Sequence, residues 1–133
     1  IWELDQSKES DYYKQIAQFI RWNSVDIIVT FDTPILETTA QVKKDMMVGN
    51  ENLKNTRIFG SGNTSKVISF LEDGIVNGSA MQNEFNIGYI GVKRAIGMKI
   101  GESQQVDKIE STIITNENMY SKENQRILFL FIR

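Results

Sequence analysis

Three short polar stretches, each following an apolar run, carry the side chains best suited to chemistry: Phe31-Asp32-Thr33, Gly60-Ser61-Gly62-Asn63 and Met81-Gln82-Asn83. The carboxylate of Asp32 can accept two hydroxyl hydrogen bonds, and a charged acceptor makes stronger bonds than a neutral one. Phe31 beside it can stack on the apolar face of a sugar ring. Gln82 holds both a donor and an acceptor, which suits hydroxyls and amides. In the glycine turn, Ser61 and Asn63 are further contacts and the backbone N–H groups can approach a ligand closely. Each position also has a plain structural reading. Asp32 can start a helix, Phe31 can end a buried strand, Gln82 can be a solvated loop amide, and the glycines can make a tight turn. A dinucleotide fingerprint needs a third glycine or alanine, where this chain has Ser65.

Composition narrows the chemistry. The 133 residues contain no histidine and no cysteine. That removes serine-histidine relays, thiolate nucleophiles and the usual zinc centres. The carboxylates elsewhere, such as Glu72 with Asp73 or Glu3 with Asp5, read as surface charges, and no pair is placed for acid-base catalysis. A non-enzyme without cofactor or metal is expected. The formal net charge of −2, with basic residues spread along the chain, argues against nucleic acid as a partner. No apolar run approaches the roughly 18–20 residues that span a bilayer. The chain opens on Ile1 and Trp2, which reads as a processed, trimmed or excised piece.

The elements that must position these residues alternate between short β-type runs and longer helical ones, the pattern of βαβ units around a mostly parallel sheet. Ile1 to Leu4 reads as a strand and Ser7 to Asn23 as a helix capped by Ser7, with Glu9 in its first turn and Tyr13, Ile16, Phe19 and Ile20 on one stripe. Val25 to Phe31 reads as a strand buried on both faces. Thr33 as N-cap and Pro34 as first helical residue begin a helix reaching about Met47. Arg57 to Phe59 is a short strand. Thr64 to Asp73 is a helix closed by Gly74, with Ile75 placed for a Schellman contact. Val76 to Met81 contains a strand, and Asn86 to Ile100 is a helix stopped by Gly101. Its Gly88, Gly91 and Ala95 form a small-residue stripe expected to approach the sheet. Glu110 to Thr115 and Ile127 to Ile132 read as two final strands. The expected fold is a three-layer α/β sandwich in one domain.

The segment Met81 to Val92 resembles the stretch in ribose-type solute-binding proteins where a strand ends in a glutamine loop before a glycine-rich helix. Val25 to Asp32, Arg57 to Gly62 and Ile113 to Asn118 resemble three further pieces of that family, in the order it requires. The resemblance implies one lobe of the type I periplasmic-binding-protein fold, the C-terminal ligand-binding lobe of a longer two-lobed protein with ligand held between lobes. It also implies ligand contacts at Gln82 and Asp32. Phe31 stands where the family has an asparagine, Gly62 where many sugar binders have an aspartate, and Glu84 where a proline is common.

The function this implies is recognition of a small polar ligand, with a sugar expected, for ABC-type uptake. The protein would be periplasmic or extracellular, membrane-associated through a lipid anchor or a permease partner. An effector-sensing domain of a LacI-like regulator or of a membrane sensor, cytoplasmic in the regulator case, is the alternative on the same fold. A nucleotide-dependent enzyme rests only on the incomplete glycine fingerprint.

Overall fold

Why the chain folds as it does is clearest from its second helix. In the computed structural model, which describes residues 2–5, 11–100 and 109–128, α2 (Thr33–Met46) buries Leu36, Thr39, Ala40, Val42 and Lys43. Those residues recur at helical spacing and form one stripe. The stripe lies on a sheet of four strands, β1 (Ile27–Val29), β2 (Arg57–Ser61), β3 (Gly78–Met81) and β4 (Thr112–Ile114), in the spatial order β1-β2-β3-β4. The first three strands are parallel and β4 runs antiparallel to β3. The other helices are α1 (Tyr12–Trp22), α3 (Ser65–Glu72), α4 (Glu84–Lys99) and α5 (Lys122–Leu128). The expected α/β class with a mostly parallel sheet is present.

Strand order dictates where the helices go. Crossovers between parallel strands are right-handed, so two crossovers advancing in the same direction place α2 and α3 on one face of the sheet. The two helices accordingly touch each other, α2 packs on β2, α3 on β3, and α1 lies against α2. Strand residues on that face alternate with the pleat: Ile28, Ile58, Ser79, Met81 and Ile114 point toward the helices. Ile58, Met81 and Ile114 join Leu36, Ala40, Val67, Phe70, Leu71 and Val76 in the main core. A second cluster of Ile16, Ile20, Val42 and Leu53 holds α1 to α2.

The ends of α3 follow local chemistry. Thr64 accepts from the Val67 N–H at its start. At its end Gly74 adopts φ +68°, the left-handed conformation a Schellman end requires. The Ile75 N–H then donates to Phe70 O and the Gly74 N–H to Leu71 O.

Several expectations give way. On the opposite sheet face Ile27, Val29 and Ile113 are more than half exposed. The strand read as buried on both faces is therefore buried on one. The glycine stripe of α4 does not approach the sheet: a Cβ at Gly88 or Gly91 would meet nothing within 4 Å. Periodicity alone cannot name the partner of a stripe. Residues 2–5 form no strand, and Ile127 and Leu128 close α5 rather than opening a strand. The helix-compatible residues Lys122–Arg126 precede the apolar run, and the helix they start continues through Ile127 and Leu128. Ser7, Glu9 and Gly101 lie outside the described residues, as does the rest of the predicted last strand.

Candidate functional site

Parallel strands deliver their C-terminal ends to one edge of the sheet, and the loops that leave there converge. All five candidate residues emerge along this edge. Phe31 and Asp32 follow β1, Ser61 ends β2 with Asn63 just beyond, and Gln82 follows β3. Because β4 is antiparallel, its start at Ser111 and Thr112 joins the same edge.

Side chains stitch these loops together. Thr33 Oγ1 donates to Ser61 O at 3.0 Å, linking the first loop to the second. Ser61 Oγ donates to Ala80 O at 3.3 Å and Ser79 Oγ to Gly62 O at 2.7 Å, tying the second loop to the end of β3. Asn63 Nδ2 donates to Glu84 Oε1 at 2.8 Å. Gln82 Nε2 donates to Ser111 Oγ at 3.2 Å, which closes the row at β4. The edge is thus a polar rim in which the first two loops brace each other and the second is tied to β3 and to the start of α4.

Asp32 caps α2: one carboxylate oxygen accepts from the Ile35 N–H at 2.8 Å. This corrects the sequence expectation of a Thr33 cap. Aspartate and threonine are both capping residues, and the extended backbone at Asp32 (φ −137°, ψ 158°) decides which one serves. Thr33 instead braces Ser61. The second Asp32 oxygen has no hydrogen-bond partner among the described residues, and the residue is exposed. Phe31 is 89% exposed, so it does not end a buried strand. It stands on the rim beside Asp32 with its ring free to stack. Ser61 and Gln82 are exposed and Asn63 is half-buried.

The glycine turn serves close packing. A Cβ at Gly62 would lie 2.7 Å from both Thr33 Oγ1 and Thr33 Cγ2. The turn is therefore tight because the first two loops approach each other. Two rim residues escaped selection as contacts. Glu84 enters the sequence pattern only as a departure from the family's proline, and Ser111 carries no local signal, since an antiparallel neighbour cannot be read from its own residues. Among the described residues no group of three or more Asp or Glu is placed to hold a metal.

The fold is that of one lobe of a type I periplasmic binding protein, as comparison with solved structures makes plain. A carbohydrate-transporter solute-binding protein of Agrobacterium radiobacter in complex with D-arabinose superposes with a TM-score of 0.79 at 17% identity, over 92% of this chain and 41% of that one. An ABC-transporter solute-binding protein of Agrobacterium vitis with bound D-fucose gives 0.79 at 15% identity, over 96% of this chain and 43% of that one. A Brachyspira murdochii protein described both as an ABC transporter and as a LacI-family transcriptional regulator gives 0.78 at 20% identity, over 94% and 41%. The chain therefore spans less than half the length of these neighbours. No family model and no curated protein matches the sequence.

Proposed function

We propose that this chain is the ligand-binding lobe of a two-lobed solute-binding protein that recognises a small polyhydroxylated ligand, a sugar or a related polyol, for ABC-type uptake, and that it carries out no catalysis. The observation that carries this reading is the rim. An exposed aromatic ring, a partly free carboxylate, a hydroxyl and two amides converge at one sheet edge, on a fold whose solved neighbours hold D-arabinose and D-fucose. Stacking supplies affinity for the apolar face of a ring, and the carboxylate and amides direct its hydroxyls. Closure of a second lobe over the rim would bury the ligand. A membrane permease is the partner and the periplasm or cell exterior the location that go with this function.

The test is isothermal calorimetry on the product of the complete reading frame with D-arabinose, D-fucose, D-tagatose and myo-inositol. Binding of at least one in the micromolar range is expected. Heat with none of the four, from a folded protein, would count against the reading. A DNA-binding domain in the same reading frame would move the protein to the regulator class while leaving the ligand chemistry in place.

A further inference from the structure

Asp32 and Glu84 are the carboxylates of residues 31–33, 60–63, 81–84 and 111, and none of these residues is a lysine or arginine. Glu84 is the first residue of α4 and is exposed. Its Oε1 accepts from Asn63 Nδ2 at 2.8 Å, across the space between the second and third loops. A carboxylate has no hydrogen to give, so only the NH2 end of the Asn63 amide can face it. The other end, Oδ1, is thereby turned away from Glu84 and has no hydrogen-bond partner among the described residues.

Gln82 is not held in this way. Its partner is the Ser111 hydroxyl, which can give or take a hydrogen bond, so this amide can turn either way. Gly62 adds no side chain, and a Cβ there would meet Thr33. Ser61 gives its hydroxyl hydrogen to Ala80 O. The second loop therefore leaves acceptors for a ligand, the lone pairs of Ser61 Oγ and the Oδ1 of Asn63, in the same row as the partnerless oxygen of Asp32. Groups that carry their own hydrogens can bond to such a surface, whereas a carboxylate or phosphate has none to give.

We propose that Glu84 is a positioning residue that sets the hydrogen-bond polarity of the rim: by holding the Asn63 amide with Oδ1 toward the ligand, it selects polyols bound through their own hydroxyl hydrogens. This rests on the solute-binding reading and adds to it a residue that is not itself a ligand contact. Glu84 also places an acid in the first turn of α4, where the helix dipole favours it. That role bears on stability and not on which groups a ligand must offer.

Calorimetry on the product of the complete reading frame with D-arabinose, D-fucose, D-tagatose and myo-inositol tests the proposal, with urea midpoints on the same samples. The side chain introduced by Glu84→Lys can only donate, so it turns the Asn63 amide around and presents the NH2 group to the rim. The dissociation constant of each polyol that binds the parent is expected to rise about 10-fold, the scale of losing one hydrogen bond and setting donor against donor. Adding Asn63→Asp gives the lysine a carboxylate partner and returns an oxygen to the rim, so the double variant is expected to recover about 3-fold or more of that loss. Unchanged binding in Glu84→Lys would overturn the proposal, and so would a double variant as weak as Glu84→Lys alone. A contact that is only structural gives the first of these results, a lowered urea midpoint with unchanged dissociation constants in the folded protein. If the folded parent binds none of the four polyols, the solute-binding reading fails and this proposal falls with it; polyol binding that ignores both variants sinks this proposal alone.

Discussion

One oxygen of Asp32 holds the start of α2 and the other has no partner among the described residues, so two substitutions separate its capping and proposed binding roles. Asparagine caps helices as well as aspartate does, whereas alanine costs about 1 kcal/mol. Asp32→Ala is therefore expected to lower stability by about that amount, and Asp32→Asn to leave it within about 0.5 kcal/mol. Both should weaken sugar binding by the complete protein, Asp32→Asn by about 5- to 10-fold, the difference between a charged and a neutral acceptor. Urea midpoints and calorimetry on the same samples check this. Lys43 offers a test of pH dependence. Its ammonium is buried and donates to Thr56 O at 2.6 Å and Ile75 O at 3.1 Å, and burial lowers its pKa from the ordinary 10.5. Between that lowered value and 10.5 the unfolded chain binds more protons than the folded one, so this group makes stability rise with pH across the window. Tyr13 and Tyr120 act oppositely. Their hydrogen bonds to Asp45 and Glu72 raise their pKa above 10.0, and the stability they contribute is present below pH 10 and lost as pH rises through the raised values. Lys43→Met is expected to be less stable at pH 7, because two buried carbonyls lose their donor, and to lose the rise approaching pH 10.5. Urea midpoints at pH 7, 9 and 10.5 that fall in parallel for both proteins would contradict this.

At the scale of elements, Gly60 and Gly74 look alike in the sequence and differ in physics. Gly74 has positive φ and open space where a Cβ would go. Gly74→Ala therefore meets only the backbone cost of a left-handed residue, about 1 kcal/mol. A Cβ at Gly60 would lie 2.4 Å from Thr30 Oγ1 and 2.8 Å from Leu36 Cδ1, inside the contact between β2 and α2. Gly60→Ala is expected to cost more, about 1–3 kcal/mol from overpacking. Denaturation midpoints in the reverse order would show that Leu36 shifts freely. The same contrast explains α4. Its apolar residues and glycines have helical spacing, yet only Gly97 is buried.

For the whole molecule, the proposed function makes the rim half of a site. Binding pockets commonly bury about 70–90% of a small ligand, but Phe31 is 89% exposed, and Asp32, Ser61 and Gln82 are exposed beside it. The 133-residue chain alone is therefore expected to bind its sugar about 100-fold more weakly than the complete protein, a loss of about 2.7 kcal/mol. Calorimetry on both, with the sugar that gives heat in the screen, measures the ratio. Equal affinities would mean that one lobe suffices and would overturn the two-lobed reading.

What can be read along the chain is whatever depends on near neighbours. The helix stripe at Ile16 and Ile20, the Gly74-Ile75 stop and the strands ending before Asp32 and at Met81 are local statements of period and capping, and the polar strand ends at Asp32, Ser61 and Gln82 follow from them. The three-dimensional structure decides what depends on distant ones. It gives the cap to Asp32 by setting the backbone there, frees Thr33 to brace Ser61, leaves Phe31 exposed, and turns β4 antiparallel so that Ser111 meets Gln82. A period identifies a buried face but carries no information on which surface covers it, so the rim was legible in outline while its partners were not.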